Sequence, residues 1–119
     1  MDGDSSMLGP DGFLVDAHGR RLEFYNTGAK RSHIEGRYDL VPVEGMHRVA
    51  AAMAHGAQRF GRDNWLKGMP IEDCLNHAIK HIYDYISGCR EEDHLGHAAA
   101  NLMMAAHFDR YPPNGPGVK

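Results

Sequence analysis

Glu91-Glu92-Asp93-His94-Leu95-Gly96-His97-Ala98-Ala99-Ala100-Asn101-Leu102-Met103-Met104 carries two sets of side chains at helical spacing. At about 100° per residue, Leu95, Ala98, Ala99, Leu102 and Ala106 gather on one face, while His94, His97 and Asn101 share a narrow arc on another. The first face is expected to pack, and the second to present nitrogen and oxygen donors. Gly96 and the run of alanines keep such a helix thin, which lets a neighbouring backbone come close. The stretch reads as one wall of a metal or phosphate site, so the other walls have to come from the rest of the chain.

Two further helices are predicted upstream. Pro42 suits a first turn, where its missing N–H costs nothing, and Glu44 near that end suits the helix dipole. From there Met46, Val49, Ala50, Met53, Ala57 and Phe60 form the expected buried stripe, and Gly61 ends the helix. A loop from Arg62 to Pro70 holds the chain's only tryptophan, Trp65. The next helix, about Ile71 to Ser87, is expected to bury Ile71, Leu75, Ala78, Ile79, Ile82 and Ile86, with Gly88 closing it. His81 lies on the shoulder of that stripe and is the site candidate, whereas His77 lies nearly opposite the core.

Ahead of the helices, Phe13-Leu14-Val15 and Arg21-Leu22-Glu23-Phe24-Tyr25 flank Asp16-Ala17-His18-Gly19, which predicts a short β-hairpin. Residues 26–41 read as an irregular connector with Lys30, Arg31 and Arg37 as its cations. Arg37 offers a planar fork of donors suited to phosphate. The fold class is therefore mainly α: a bundle of three main helices with a short N-terminal β-hairpin. One domain is expected over residues 13–110, between flexible segments at 1–12 and 111–119. Three amphipathic helices bury a thin core, and alanine-rich faces favour close contact. Completion of the bundle by homo-oligomerisation, as a dimer or tetramer, is expected.

With 119 residues and a net charge of −3, the chain is one modest domain and a poor candidate for a dedicated nucleic-acid binder. No apolar run approaches the roughly 18 residues that span a bilayer, and no charged-then-apolar leader opens the chain, so a soluble, cytoplasmic protein is expected. Cys74 and Cys89 form no Cys-x-x-Cys, which argues against a thiolate zinc site. Histidine is the unusual component: seven of the nine fall in the predicted helices.

Glu44, Asp93 and, less directly, Glu92 offer hard oxygen ligands, and His81, His94 and His97 offer imidazoles. Such a mixed set suits Mg²⁺ or Mn²⁺ with phosphate oxygens completing the shell, and also accepts Zn²⁺, Co²⁺ or Ni²⁺. His94-x-x-His97 alone is a weak signal, because histidines three apart also arise at interfaces. The absence of a His-Asp dipeptide removes HD-type phosphohydrolases. The absence of a Walker loop and of His-Glu-x-x-His removes P-loop ATPases and zincins. A second class stays open, a non-catalytic nucleotide-binding or assembly module whose histidines form interfaces.

Arg37-Tyr38-Asp39-Leu40-Val41-Pro42-Val43-Glu44, Gly56-Ala57-Gln58-Arg59-Phe60-Gly61-Arg62-Asp63-Asn64-Trp65-Leu66-Lys67-Gly68, Ile79-Lys80-His81-Ile82 and Glu92-Asp93-His94-Leu95 together resemble the largely phage-borne dATP/dGTP diphosphohydrolase N-terminal domain family. The likeness runs from about Thr27 to Phe108, and its Gly-Ala-x-x-aromatic-Gly-x-x-Asn-Trp-x-x-Gly block is the most specific part. Members resemble the all-α MazG-like nucleotide pyrophosphohydrolases, among them the MazZ type that converts dGTP to dGMP in phages using 2-aminoadenine.

The resemblance implies attack of water at the α/β anhydride of a purine nucleoside triphosphate, with release of diphosphate. MazG-like enzymes bind Mg²⁺ through Glu-x-x-Glu and Glu-x-x-Asp, whereas here the first helix has Glu44-x-x-His47 and the last has Asp93-His94 followed by His97. Carried onto this sequence, the resemblance makes Glu44, His81 and Asp93 the metal ligands or water-orienting groups, with His94 and His97 as further ligands. Arg37, Lys67 and Lys80 would assist charge neutralisation, Asn64 and Asn101 would bond base or sugar, and Trp65 would stack on a purine.

Overall fold

The computed structural model describes residues 7–8 and 12–113. The expectation of flexible ends therefore falls, for residues 1–6, 9–11 and 114–119, outside the described residues. The backbone groups into two compact units, Met1–Leu40 and Val41–Lys119, where the sequence suggests one domain over 13–110.

In the first unit, β1 (Met7–Leu8) pairs antiparallel with β2 (Leu14–Val15), and β3 (Leu22–Phe24) pairs antiparallel with β4 (Lys30–Ser32). The two runs expected to form one hairpin meet only through a single bridge, Val15 to Arg21, and each finds its main partner elsewhere. Turn chemistry explains the difference. Asp16 accepts from the backbone N–H groups of His18 and Arg20 and bends the chain sharply, while Gly28 at φ +92° lets the chain reverse between β3 and β4. The segment read as an irregular connector thus contains a strand and a short 3₁₀ turn, Tyr38–Leu40.

The second unit is helical: α1 (Val43–Phe60), α2 (Ile71–Ile86) and α3 (His94–Arg110). Pro42 and Pro70 stand at the N-caps of α1 and α2, where a residue without an N–H loses nothing. Asp93 caps α3 through its side chain, accepting from Gly96 N–H at 3.1 Å. Gly61 at φ +99° and Gly88 at φ +97° let the chain leave α1 and α2 in backbone conformations that a side chain disfavours. Helix α3 lies in the middle and packs against both other helices.

The mainly α class and the boundaries of α1 and α2 agree with the sequence, and Val49, Ala78 and Ala98 are buried as expected. However, α3 starts at His94 and not at Glu91, and much of each expected apolar face is exposed. On α3 the inward face is His94, Ala98, Ala105 and Phe108, with His97, Asn101 and Met104 half-buried beside them, whereas Leu95, Leu102 and Ala106 are exposed. On α2 Cys74 and Ala78 are buried, while Leu75, Ile79, Ile82 and Ile86 face outward. On α1 Val49 is buried, with Arg48, Ala52, Met53 and Gly56 along its line, and Met46, Ala50 and Phe60 are exposed. Small residues such as Ala78, Gly96, Ala98 and Ala100 let the helices approach closely around α3, and hydrogen-bonded imidazoles share the seam with Phe108 and Met104.

Gly96 marks the closest approach. A Cβ built there would stand 3.0 Å from the Arg48 carbonyl oxygen on α1 and press on the Asp93 carboxylate. Gly96→Ala is therefore expected to destabilise the fold by about 1–3 kcal/mol through overpacking. Gly56→Ala, with nothing within 4 Å of the added carbon, should be neutral or stabilising by up to about 1 kcal/mol. Urea titrations of the two variants check this, and equal midpoints would remove the close approach from the account.

Candidate functional site

His81 in α2 meets His94 in the first turn of α3, Nδ1 to Nδ1 at 2.9 Å. In the neutral forms one ring donates and the other accepts. Glu92, in the turn just before α3, places Oε1 3.5 Å from His81 Nδ1 and 3.9 Å from His94 Nδ1. Among the described residues, these three have His, Cys and carboxylate ligand atoms gathered closely enough to hold one ion, all within 4.8 Å of one another. His94 is buried, at 4% exposure, and Glu92 is half in solvent, so the cluster opens on the carboxylate side.

A row of rings backs the cluster. His97 stacks on His81 with centroids 5.1 Å apart and planes 19° apart, and His55 from α1 meets His97 edge-on at 6.1 Å. His94 turns its other nitrogen, Nε2, to Cys89 Sγ at 3.1 Å. Burial pushes the His81 pKa below the ordinary imidazole value. His97 and His94 push the same way, while Glu92 and Asp84 oppose them. His81 is thus biased toward the neutral form, in which a ring nitrogen carries a free lone pair.

The family model for the dATP/dGTP diphosphohydrolase N-terminal domain matches residues 25–114. The chain belongs to this family. One curated relative, a dATP/dGTP diphosphohydrolase of Salmonella phage PMBT28, is 30% identical over 83 residues. That match takes in 66% of this chain, which spans 28% of the relative's length. No solved structure matches the chain.

Of the residues singled out from the sequence, this dATP/dGTP diphosphohydrolase-family chain brings together His81, His94 and His97, and with them Glu92, the carboxylate named less directly. Glu44 and Asp93 are not among the gathered ligand atoms. Glu44 is exposed on the first turn of α1. The Asp93 carboxylate accepts from Arg48 Nε at 3.0 and 3.1 Å, from Arg48 Nη2, and from Gly96 N–H, so its lone pairs serve the α1–α3 junction. Asn101 donates back to the His97 carbonyl in its own helix at 2.8 Å. Lys80 pairs with Asp84 one turn on, at 2.6 Å, and lies close enough to Glu92 and Cys89 for their charges to raise its pKa.

The other predicted residues lie apart from the cluster. Trp65 packs on His107 and Phe108 at 5.1 and 5.9 Å and anchors its loop to the Cys74, Ala105 and Phe108 core. Lys67 lines a cavity of about 400 Å³ with Ile71 and Phe108. Fourteen helical residues separate Phe108 from His94, which puts that cavity roughly 20 Å from the cluster. Arg37 belongs to the first unit, where its guanidinium pairs with Asp39 at 2.8 and 3.1 Å. Sequence reading missed Arg48 and Cys89. An Arg four residues beyond Glu44 carries no signal of a partner 45 positions away, whereas Asp93-x-x-Gly96 before a helix does signal a cap.

Arg48 holds the Asp93 carboxyl down to about 2, against desolvation and with help from Gly96 N–H. A depressed folded-state pKa means that ionised Asp93 contributes stability in full above about pH 4 and loses it as the pH falls toward 2. Asp93→Ala is expected to cost about 1 kcal/mol for the lost cap, and more for the lost ion pair. Asp93→Asn keeps a capping oxygen, so it should cost less and flatten the acid limb of stability between pH 4 and 2. Thermal melts across that range check it, and an unchanged limb in Asp93→Asn would contradict the assignment.

Proposed function

We propose that this chain is the metal-dependent domain of a purine deoxynucleoside triphosphate diphosphohydrolase that cleaves the α/β anhydride, converting dGTP to dGMP and diphosphate. Family membership supports the reaction class. The observation that carries the site is the convergence of His81, Glu92 and His94 at 2.9 to 3.9 Å. Two imidazole nitrogens and a carboxylate oxygen fit a divalent cation, which when bound neutralises charge on phosphoryl oxygens and lowers the pKa of water.

The chain's own residues supply the rest. Glu92, with one edge in solvent, orients the attacking water and accepts its proton. His94, buried and held at both nitrogens, fixes the floor against which phosphate oxygens rest. Lys80 is the nearby cation on α2. Its pairing with Asp84 is exposed and contributes little, so the ammonium can turn to a phosphate at small cost. The product dGMP would pass to phage nucleotide metabolism, the 2-aminoadenine pathway, in the host cytoplasm. Among the described residues no helix is long and apolar enough to cross a membrane.

Assembly belongs to the same reading. Leu75, Ile79, Ile82 and Ile86 form a stripe along α2 that is 40 to 73% exposed in the single chain. A homo-oligomer, dimer or tetramer, covers it and completes a larger bundle. Light scattering should give a mass above the monomer for the native chain, and Ile79→Glu with Ile82→Glu should return it to monomer. A native chain already monomeric at tens of micromolar would end this part of the reading.

The activity test is diphosphate release from each dNTP in the presence of Mg²⁺, Mn²⁺, Co²⁺ or Zn²⁺. Turnover of dGTP and dATP is expected. Glu92→Gln and His94→Ala should each lower kcat/KM about 10²-fold or more, the scale of lost acid–base or electrostatic assistance. Binding of nucleotide without release of diphosphate under any of these ions would sink the enzymatic reading and leave a nucleotide-binding module.

A further inference from the structure

We infer that the His81, Glu92 and His94 cluster is built for a borderline transition ion, of which Zn²⁺ and Co²⁺ are the probes, and that it selects against Mg²⁺. This names the ion of the proposed diphosphohydrolase site, and it rests on that reading only for what the ion does there.

The donor atoms carry the argument. Mg²⁺ demands near-octahedral oxygen ligands, parts with its waters reluctantly and is held mainly through carboxylates. Here two of the three gathered atoms are imidazole nitrogens, which suit Zn²⁺ and its neighbours in the first transition row. Asp93, the neighbouring carboxylate that would shift the balance toward Mg²⁺, is engaged by Arg48 and by Gly96 N–H. Asp84, whose charge also reaches His81 and His94, is paired with Lys80, and Glu44 is exposed; both lie outside the gathered set.

Geometry agrees with the donor chemistry. Two ligands placed about 2.0–2.1 Å from one ion at the tetrahedral angle stand about 3.3 Å apart. The three separations here, 2.9, 3.5 and 3.9 Å, bracket that value. Small rotations about side-chain bonds are enough to equalise them. Three protein ligands leave a fourth position free, the layout of a hydrolytic site and not of a closed structural one.

The rings are also held from outside. Cys89 Sγ sits 3.1 Å from His94 Nε2, so the nitrogen away from the cluster is held from outside, and Nδ1, which now meets His81 Nδ1, is the one that faces an ion between the rings. His97 stacks on His81 and restricts its ring plane. An imidazole pair that existed only to fill a seam would have no need of a carboxylate at its open edge.

The purified full chain is stripped with chelator and titrated with Co²⁺, reading the visible d–d absorption, and with Zn²⁺, reading bound metal by mass spectrometry, each with and without a large excess of Mg²⁺. About one ion per chain is expected, retained against Mg²⁺. Affinity should fall about tenfold or more in His94→Ala, in His81→Ala and in Glu92→Gln. The last change lies on the exposed rim and keeps the fold testable if a buried-histidine variant unfolds. His77→Ala, on the exposed side of α2, should bind as the native chain does. Co²⁺ binding that survives Glu92→Gln and both histidine changes, or that equimolar Mg²⁺ displaces, overturns the inference. Diphosphate release supported by Mg²⁺ with no transition ion bound overturns it too, while leaving the diphosphohydrolase reading intact. Tight Co²⁺ binding without turnover of any dNTP does the reverse.

Discussion

The Asp93 carboxylate accepts from the Arg48 guanidinium and from Gly96 N–H together, and the placing of α3 follows from that double engagement. One contact satisfies a backbone donor that the first turn of any helix leaves open. The other ties that turn to α1, a helix 45 residues away in sequence. Gly96 then lets the Arg48 carbonyl come within 3.0 Å of where a Cβ would be. Because His94 follows Asp93 directly, fixing the cap also fixes the direction in which the His94 ring leaves the helix. The carboxylate that looks from sequence like a metal ligand is engaged instead by the cap and by Arg48, next to the buried imidazole of His94.

A seam lined with histidines is an expensive way to pack helices. Buried polar atoms cost free energy unless each finds a partner, and among the described residues no buried side-chain nitrogen or oxygen lacks one. His94 meets this demand at both nitrogens, with His81 on one side and Cys89 on the other. Leucines in the same places would stabilise the seam by simple burial, but Leu75, Ile79 and Ile82 lie on the outer face of α2 instead. The chain thus puts polar chemistry inside the seam and leaves apolar surface on the outer face of α2.

Punctuation in this sequence was more legible than orientation. Pro42, Gly61, Pro70 and Gly88 mark helix ends through backbone constraints that act locally, and α1 and α2 begin and end where these residues predict. Helix α3 instead starts at His94, inside the stretch read as helical from Glu91, because Asp93 caps it. Burial is set by what lies across the seam, which one helix's periodicity does not contain. Ranking by hydropathy therefore set Leu95 and Leu102 on the packing face, where the structure exposes them, and His94 on a separate donor face, where the structure buries it. The closeness implied by Gly96 and the alanines was readable, since a missing Cβ is itself a local fact. The partners of Asp93 and His94 were not, because Arg48 and Cys89 advertise nothing until the chain is folded.

The same distinction sorts the cations expected to meet a triphosphate. Arg37 turns Nε and Nη2 to Asp39 within its own unit, and Lys67 stands at the far end of the α2–α3 pair beside Phe108. Lys80, paired with Asp84, also feels the charge of Glu92. Its present partner, Asp84, is one turn along an exposed helix face, and such pairs are weak because water screens them and two long side chains lose freedom to form them. A phosphate arriving at the open edge of the cluster offers the ammonium a higher charge at a comparable reach. In the proposed reading such a phosphate would compete with Asp84 for the ammonium, and the weakness of the present pair keeps the cost of that exchange low.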